Sequence, residues 1–296
     1  MDDLKGKVAF ITGGASGIGL AMAKAFGREG MLVMLADIEA APLTAAVDEL
    51  RGLQVRAEGV LCDVSSRGSL QNAALETIAK FGKVHLVCNN AGVGAGGDVG
   101  SVSPADWKWI LDVNLMGVVN GTDVFAPLMQ SHGEGGHFVN TASMAGMVSP
   151  AGMEPYCATK FAVVAMSEGW AAQLAPRGIG VSILCPGFVQ TRIHESRRNR
   201  PGSAEANAAP AQFDDALALP VLTGIPVGPV ANRVVEAVKA NELYVFTHPE
   251  FKAVVAARFD AILAGFDSAA ASVALSVLPP RETPGADVGV VVDVGT

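Results

Sequence analysis

The placement of apolar residues constrains this chain more than any other feature. Short, continuously apolar runs recur at Val8 to Thr12, Leu32 to Ala36, Val55 to Cys62, Val84 to Cys88, His137 to Asn140, Val181 to Cys185 and Leu243 to Phe246. Between them lie longer segments of helical pattern: Ile18 to Glu29, Ala40 to Arg51, Ser69 to Phe81, Pro104 to Gln130, Pro155 to Ala175 and Val230 to Ala240. A strand with one wet face alternates apolar and polar residues, whereas a continuously apolar strand is covered on both faces, as in a parallel sheet. Strand and helix in alternation therefore predict an α/β fold, a doubly wound parallel sheet with helices on both faces and a ligand crevice at the strands' carboxyl ends. The 296 residues, 50% hydrophobic and 17% charged, supply one large core and do not demand a second.

A single catalytic domain over residues 1–267 is expected. Two stretches break the rhythm. Residues 191–228 scatter prolines and glycines among small and charged side chains without a sustained period, the pattern of a long loop with short helical pieces, and such insertions in compact domains tend to be lids. After an amphipathic helix from about Phe251 to Phe266, the tail 268–296 is rich in Ala, Ser, Pro and Val and is expected to be poorly ordered.

The net charge of −8 disfavours an electrostatic grip on nucleic acid or anionic lipid, which rests on clustered Lys and Arg. The one basic cluster, Arg192 with Arg197, Arg198 and Arg200, reads as a solvated, mobile loop. No apolar run reaches the roughly 18 residues that span a bilayer. The segment Met1 to Lys7 is charged where a signal peptide would turn apolar, so a cytoplasmic protein without membrane partners is expected. Cys62, Cys88, Cys157 and Cys185 lie far apart with no Cys-x-x-Cys pair, which suggests neither a zinc site nor a disulfide framework. They read as core residues, with Cys157 singled out because it adjoins Tyr156.

Immediately after the first apolar run comes Thr12-Gly13-Gly14-Ala15-Ser16-Gly17-Ile18-Gly19, opening a helix. Glycines let the backbone turn tightly and let a pyrophosphate approach the helix amino terminus, where unpaired N–H groups favour negative charge. A glycine cluster alone is a turn. Here a strand precedes it, a helix follows, and an acid, Asp37, ends the second strand about 20 residues on, as dinucleotide binding requires. A carboxylate there accepts the adenosine ribose hydroxyls and repels a 2′-phosphate, and no Lys or Arg stands at Ala15, Ser16, Ile38 or Glu39 to offset it. NAD is therefore expected over NADP.

Tyr156 and Lys160 stand four residues apart, on one face of a helix. An alcohol cannot release hydride unless its proton also leaves, and a free phenol, with a pKa near 10, is a poor base at neutral pH. A neighbouring ammonium and a positive nicotinamide ring would both stabilise the phenolate, so a phenol shifted downward is expected. Ser143 follows the fifth run, at the carboxyl edge of the sheet, where its hydroxyl can bond a carbonyl or developing alkoxide. Asn114 lies mid-helix among apolar residues, an unfavourable place unless its amide is used.

With its Gly-x3-Gly-x-Gly spacing, the chain resembles the short-chain dehydrogenase/reductase family over roughly Lys5 to Phe246. The resemblance implies a Rossmann-type, three-layer αβα domain and an NAD-dependent oxidoreductase acting on a small-molecule secondary alcohol or ketone, with Asn114, Ser143, Tyr156 and Lys160 as its catalytic residues. It implies that Lys160 also holds the nicotinamide ribose and that Asn114 holds a water linking Lys160 to solvent. It places Gly13, Ser16, Gly17, Ile18 and Gly19 at the pyrophosphate, Asp63 and Val64 at the adenine, and Asn90, Ala91 and Gly92 beside the ribose. Pro186, Gly187, Val189 and Thr191 are similar to the segment that meets the carboxamide end of nicotinamide. Homodimers or homotetramers pairing through Pro104 to Gln130 and Pro155 to Ala175 are implied too.

Met144, Met153 and Phe188, with Ser143, Tyr156 and the lid's His194, are expected to line the substrate side and to suit a fairly bulky apolar or aromatic substrate. The carboxyl-terminal extension and the lid sequence are similar to a subgroup that includes bacterial dehydrogenases of benzylic alcohols in lignin-derived aryl ethers. The competing reading is a non-catalytic NAD(H)-binding scaffold of the same fold, whose mark would be loss of Tyr156, Lys160 or Ser143; all three are present.

Overall fold

The computed structural model describes residues 1, 3–202 and 212–277, of which 212–216 are described by backbone alone. The expectation of a poorly ordered tail and part of the expected lid fall on 278–296 and 203–211, outside the described residues.

Seven strands form one sheet: β1 (Val8–Thr12), β2 (Leu32–Asp37), β3 (Ala57–Leu61), β4 (Leu86–Asn89), β5 (Gly136–Thr141), β6 (Ile179–Cys185) and β7 (Tyr244–Phe246). Their order is β3-β2-β1-β4-β5-β6-β7 and every pairing is parallel. The direction of winding reverses between β1 and β4, which opens the crevice between their carboxyl ends.

The connecting helices are α1 (Gly17–Arg28), α2 (Ala40–Gly52), α3 (Arg67–Phe81), α4 (Pro104–Ile110), α5 (Gly117–His132), α6 (Glu154–Leu174), α7 (Gln212–Leu222) and α8 (Val227–Ala240). The pleat of β1 shows why its run is apolar throughout. Ala9 and Ile11 point into a core shared with α1, α2 and α8, while Val8 and Phe10 point into one shared with α3 and α5. The sheet is thus the middle of three layers, as the sequence predicts.

Two features differ from the sequence reading. The single helix expected over Pro104 to Gln130 is α4 and α5 joined through a π-helical turn, Leu111–Met116, that contains Asn114. The helical pieces expected in the lid are there, a 3-10 segment, Ile193–Asn199, followed by α7. The last helix, α9 (Lys252–Ala270), runs past Phe266 and buries none of its residues; Phe259, Ile262, Leu263 and Phe266 are all exposed. It belongs to a second compact unit, His248–Thr296, separate from Met1–Thr247. Among the described residues no helix is long and apolar enough to cross a membrane.

Candidate active site

The turn after β1 is built from glycines because nothing else fits. Gly13 and Gly17 hold φ of +61° and +54°. A Cβ on Gly19 would lie 2.1 Å from the Gly13 carbonyl oxygen and 2.7 Å from Asn90 Nδ2. The helix α1 then begins at Gly17, with Ser16 as its N-cap and Ile18 packed on the core, so its free N–H groups face the crevice. This cradle fits the pyrophosphate of a dinucleotide.

At the end of β2, Asp37 is already oriented. Its Oδ2 accepts the Ala15 N–H and its Oδ1 the Glu39 N–H, each at 3.0 Å. After β3, Asp63 Oδ1 accepts the Ser65 N–H and hydroxyl at 2.9 and 2.7 Å, and buried Val64 accepts Asn120 Nδ2 on its carbonyl. Both carboxylates thus lie at the carboxyl ends of their strands, held by backbone N–H groups.

The crevice floor hangs on a hydroxyl the sequence reading missed. Thr12 Oγ1 accepts the N–H groups of both Asn90 (2.9 Å) and Ala91 (3.0 Å) and donates to the Cys88 carbonyl (3.2 Å). Asn90 Nδ2 returns to the Thr12 carbonyl at 3.0 Å. Asn114, fully buried, accepts the Val93 N–H on Oδ1 (2.8 Å) and donates from Nδ2 to the Val93 carbonyl (2.9 Å) and Thr159 Oγ1 (3.4 Å). The amide of Asn114 is therefore used, as its awkward position demands, but it is spent on bracing the loop after β4. Gly92 lies between it and Lys160: a Cβ there would be 3.4 Å from Asn114 Oδ1 and 3.7 Å from Lys160 Nζ.

On the other wall, α6 presents Tyr156 and Lys160 one turn apart. Lys160 is buried, donates to the Thr141 carbonyl at 2.8 Å, and sits 5.4 Å from the centre of the Tyr156 ring. Burial lowers its pKa to about 8. Burial pushes the Tyr156 phenol up to about 12, against a hydrogen bond between it and Ser143 that pulls it down. The direction is opposite to the expected downward shift, because desolvation outweighs the one hydrogen bond and the Lys160 charge is turned toward Thr141. Ser143 caps the 3-10 turn Met144–Gly146, accepting the Ala145 N–H at 3.1 Å and donating to the Pro186 carbonyl at 3.3 Å. The sequence's three catalytic candidates on this wall are thus brought together, with Asn114 behind them.

The segment after β6 closes over the crevice. Gly187 follows Pro186, Val189 is buried and pairs with Ile225, and Thr191 lies against the Gly17 turn, 3.2 Å from where a Cβ would be. Met144 is buried, Met153 half-buried at the start of α6, and Phe188 exposed. His194 is tucked in, and its buried Nδ1 has no hydrogen-bond partner. Cys157 is buried with its thiol pushed up by desolvation, an inert packing residue.

Arg192 and Arg198 of the lid cluster are exposed, as expected, but the cluster is tied to acids. Arg200 Nε donates to Asp106 Oδ1 at 2.6 Å, both side chains 12% exposed. Arg198 clasps Glu39, two residues beyond Asp37, and holds its carboxyl below the usual range. Ser196 Oγ accepts the Gly94 N–H at 3.0 Å. So no cation stands at the four positions beside Asp37, as read from the sequence, but one does reach the turn after β2. It comes from a partner 159 residues away, where no local spacing reveals it.

One further cluster has ligand-like spacing: His85, His132 and Glu134 place donor atoms within 4.8 Å of one another. Val8 N–H donates to His85 Nδ1 and Glu134 N–H to His132 Nδ1, so each ring carries its proton on Nε2, facing Glu134 (3.0 Å) and the Val84 carbonyl (2.8 Å). A metal on either Nε2 would leave the imidazole proton nowhere to go. The cluster is a hydrogen-bonded brace at the amino end of β4.

A parallel sheet with a glycine cradle at its switch point and a Ser, Tyr and Lys across the crevice defines a nucleotide-dependent oxidoreductase. The comparisons agree. The short chain dehydrogenase family model matches residues 7–202, and the chain belongs to the short-chain dehydrogenase/reductase family. It is 35% identical over 266 residues to the C alpha-dehydrogenase of a Sphingobium species, covering 89% of this chain and 87% of that protein. It is 32% identical over 272 residues to a CLA biosynthesis dehydrogenase/reductase of Lactiplantibacillus plantarum, covering 89% and 95%. A short chain dehydrogenase/reductase of Burkholderia phymatum, solved in complex with NAD, superposes with a TM-score of 0.84 at 39% identity, covering 96% of this chain and 100% of that one. The chain is an oxidoreductase that works with a nicotinamide nucleotide.

Proposed function

We propose that the chain is an NAD-preferring dehydrogenase or ketoreductase that interconverts a secondary alcohol and its ketone, with Tyr156 as the proton donor and acceptor. The observation that carries this reading is the meeting of Ser143, Tyr156 and Lys160 at the crevice: a hydroxyl bonded to the phenol and an ammonium 5.4 Å from its ring.

The dinucleotide would lie on Gly13, Ser16, Gly17, Ile18 and Gly19, with Asp37, Asp63 and Val64 at the adenosine half. Asn90, Ala91, Gly92, Tyr156 and Lys160 would hold the nicotinamide ribose, and Pro186, Gly187, Val189 and Thr191 the carboxamide end. A nicotinamide bound there would supply the hydride acceptor for alcohol oxidation and, in its reduced form, the hydride donor for ketone reduction. The chain's own part is proton handling at the oxygen. Ser143 Oγ donates to that oxygen and aims it at Tyr156, whose phenolate takes the alcohol proton in oxidation and whose hydroxyl gives a proton to the carbonyl oxygen in reduction. Burial holds the phenol near 12 while the Lys160 ammonium is spent on the Thr141 carbonyl; turned from that carbonyl toward the bound ribose and the phenol, the ammonium would stabilise the phenolate. Asn114 acts at one remove, holding Val93 and with it the floor on which substrate and ribose meet.

Met144, Met153, Phe188 and His194 form the substrate wall of this reading. Apolar surface with one imidazole nitrogen unspent suits a bulky apolar or aromatic substrate carrying a single polar group. The C alpha-dehydrogenase name of the Sphingobium relative is in keeping with such a substrate. Association into homodimers or homotetramers through α5 and α6 belongs to the same proposal. The test is a panel of secondary alcohols with NAD and of aryl ketones with NADH, followed by NADH absorbance. Turnover of aryl carbinols or aryl ketones supports the reading, and inactivity across both panels removes it.

A further inference from the structure

The turn that follows β2 carries two carboxylates. Asp37 and Glu39 are joined by the Glu39 N–H to Asp37 Oδ1 bond of 3.0 Å, so they move as one piece. Glu39 takes the lid guanidinium on its Nε/Nη2 edge: Arg198 Nε lies 3.1 Å from Oε1 and 3.2 Å from Oε2, and Nη2 lies 3.0 Å from Oε2. The remaining arm, Nη1, donates to the carbonyls of Arg192 and Glu195 at 3.1 and 3.0 Å. The pair lies at the solvent-facing edge of the lid, with 27% and 22% of the two side chains exposed, and its hold rests on the forked geometry. The segment that carries Arg198 is fixed on either side, by Ser196 on the Gly94 N–H and by Arg200 on Asp106.

A guanidinium is the side chain best suited to a phosphate, because its planar fork presents parallel N–H donors. Here one stands at the adenosine-ribose edge with every arm engaged. We infer that Glu39 is a specificity-determining residue for the nucleotide: by engaging Arg198 it withholds from a 2′-phosphate the cation that would otherwise recognise it. The inference rests on the reading that Asp37 faces the adenosine ribose. Refusal of NADP then has two parts, repulsion by the Asp37 carboxylate and sequestration of Arg198 by the Glu39 carboxylate.

The measurement is the dissociation constant of NADH and of NADPH, by nicotinamide fluorescence, for the full chain and for Glu39→Gln, Glu39→Ala, Arg198→Met, the double variant Glu39→Gln with Arg198→Met, and Asp37→Ser. Removing the Glu39 carboxylate by either route should tighten NADPH at least tenfold while NADH stays within threefold. Adding Arg198→Met should cancel the gain, and Arg198→Met alone should leave NADPH as weak as before. Unchanged NADPH affinity in both Glu39 variants, or a gain that survives loss of Arg198, would overturn the inference. Equal weakening of both nucleotides would also overturn it, since that is the mark of a lid merely loosened. Asp37→Ser separates the two readings. If it shifts the NADPH to NADH ratio while the Glu39 variants do not, only the role of Glu39 fails; if it shifts nothing, the ribose reading fails and this inference with it.

Discussion

Asn114 and Val93 exchange both of their polar groups, Oδ1 accepting the Val93 N–H at 2.8 Å and Nδ2 donating to its carbonyl at 2.9 Å, in a place closed to water. A side chain thereby does for the loop after β4 what a neighbouring strand does for a ladder. Asn114→Ala would strand two buried backbone groups, each costing about 1–3 kcal/mol. The melting temperature should fall on the order of 5–15 °C, with a fall in turnover alongside. An unchanged melting temperature in calorimetry would refute the bracing role.

Tyr156→Phe removes the exchangeable proton and little else. Turnover should drop at least about a hundredfold, the lower end of what a positioned acid or base contributes, while NADH affinity stays within a few fold. Near-normal turnover in single-turnover kinetics would assign the proton to another group.

Lys160 should make nucleotide binding sensitive to alkali. Its pKa of about 8 means the ammonium is intact at neutral pH and lost as pH rises through 8. NADH affinity should be flat below pH 7, weaken several-fold between pH 8 and 10, and lose this dependence in Lys160→Gln. Folding stability moves the other way. Between about 8 and the ordinary lysine value near 10.4 the unfolded chain binds the extra proton, so stability rises with pH over that window. A pH-independent NADH affinity would remove Lys160 from the ribose.

Acid should act through His137. The ring is buried between β5 and β6; Ser182 Oγ spends its proton on the Glu242 carbonyl at 2.6 Å, so His137 Nε2 donates to Ser182 at 2.8 Å. Burial pushes its pKa down to about 3. The unfolded chain gains a proton below pH 6.5 that the folded chain refuses, and stability should therefore decline from pH 6.5 toward 3. His137→Gln keeps a donor for Ser182 and should flatten that slope by one proton, about 1.4 kcal/mol per pH unit. Equal slopes in urea titrations of both proteins would count against it.

The sheet is legible in the sequence because strands covered on both faces must be apolar throughout, and β1 matches its run residue for residue. The glycine cradle is legible because steric demands at Gly13, Gly17 and Gly19 leave one residue type. The π-helical turn is not. Leu111–Met116 keeps the apolar spacing of an ordinary helix, and a single misplaced asparagine is its only outward sign. The Glu39 and Arg198 pair is invisible for another reason, since an ion pair across 159 residues leaves no local pattern and the arginine sits in a run that reads as loop. Thr12 was hidden by its setting, one hydroxyl at the end of an apolar strand.

That hydroxyl also limits what the position can become. Thr12 is 2% exposed in a strand where Val or Ile would otherwise be interchangeable with it, and Val has nearly its shape. Yet Thr12→Val would leave the N–H groups of Asn90 and Ala91 without their acceptor at one stroke. Among sequence variants that keep this crevice, the residue should drift only between threonine and serine, while the buried aliphatic neighbours Ala9 and Ile11 are free to exchange within their size class. A side chain that looks like core by burial is, by its tolerance to change, part of the site.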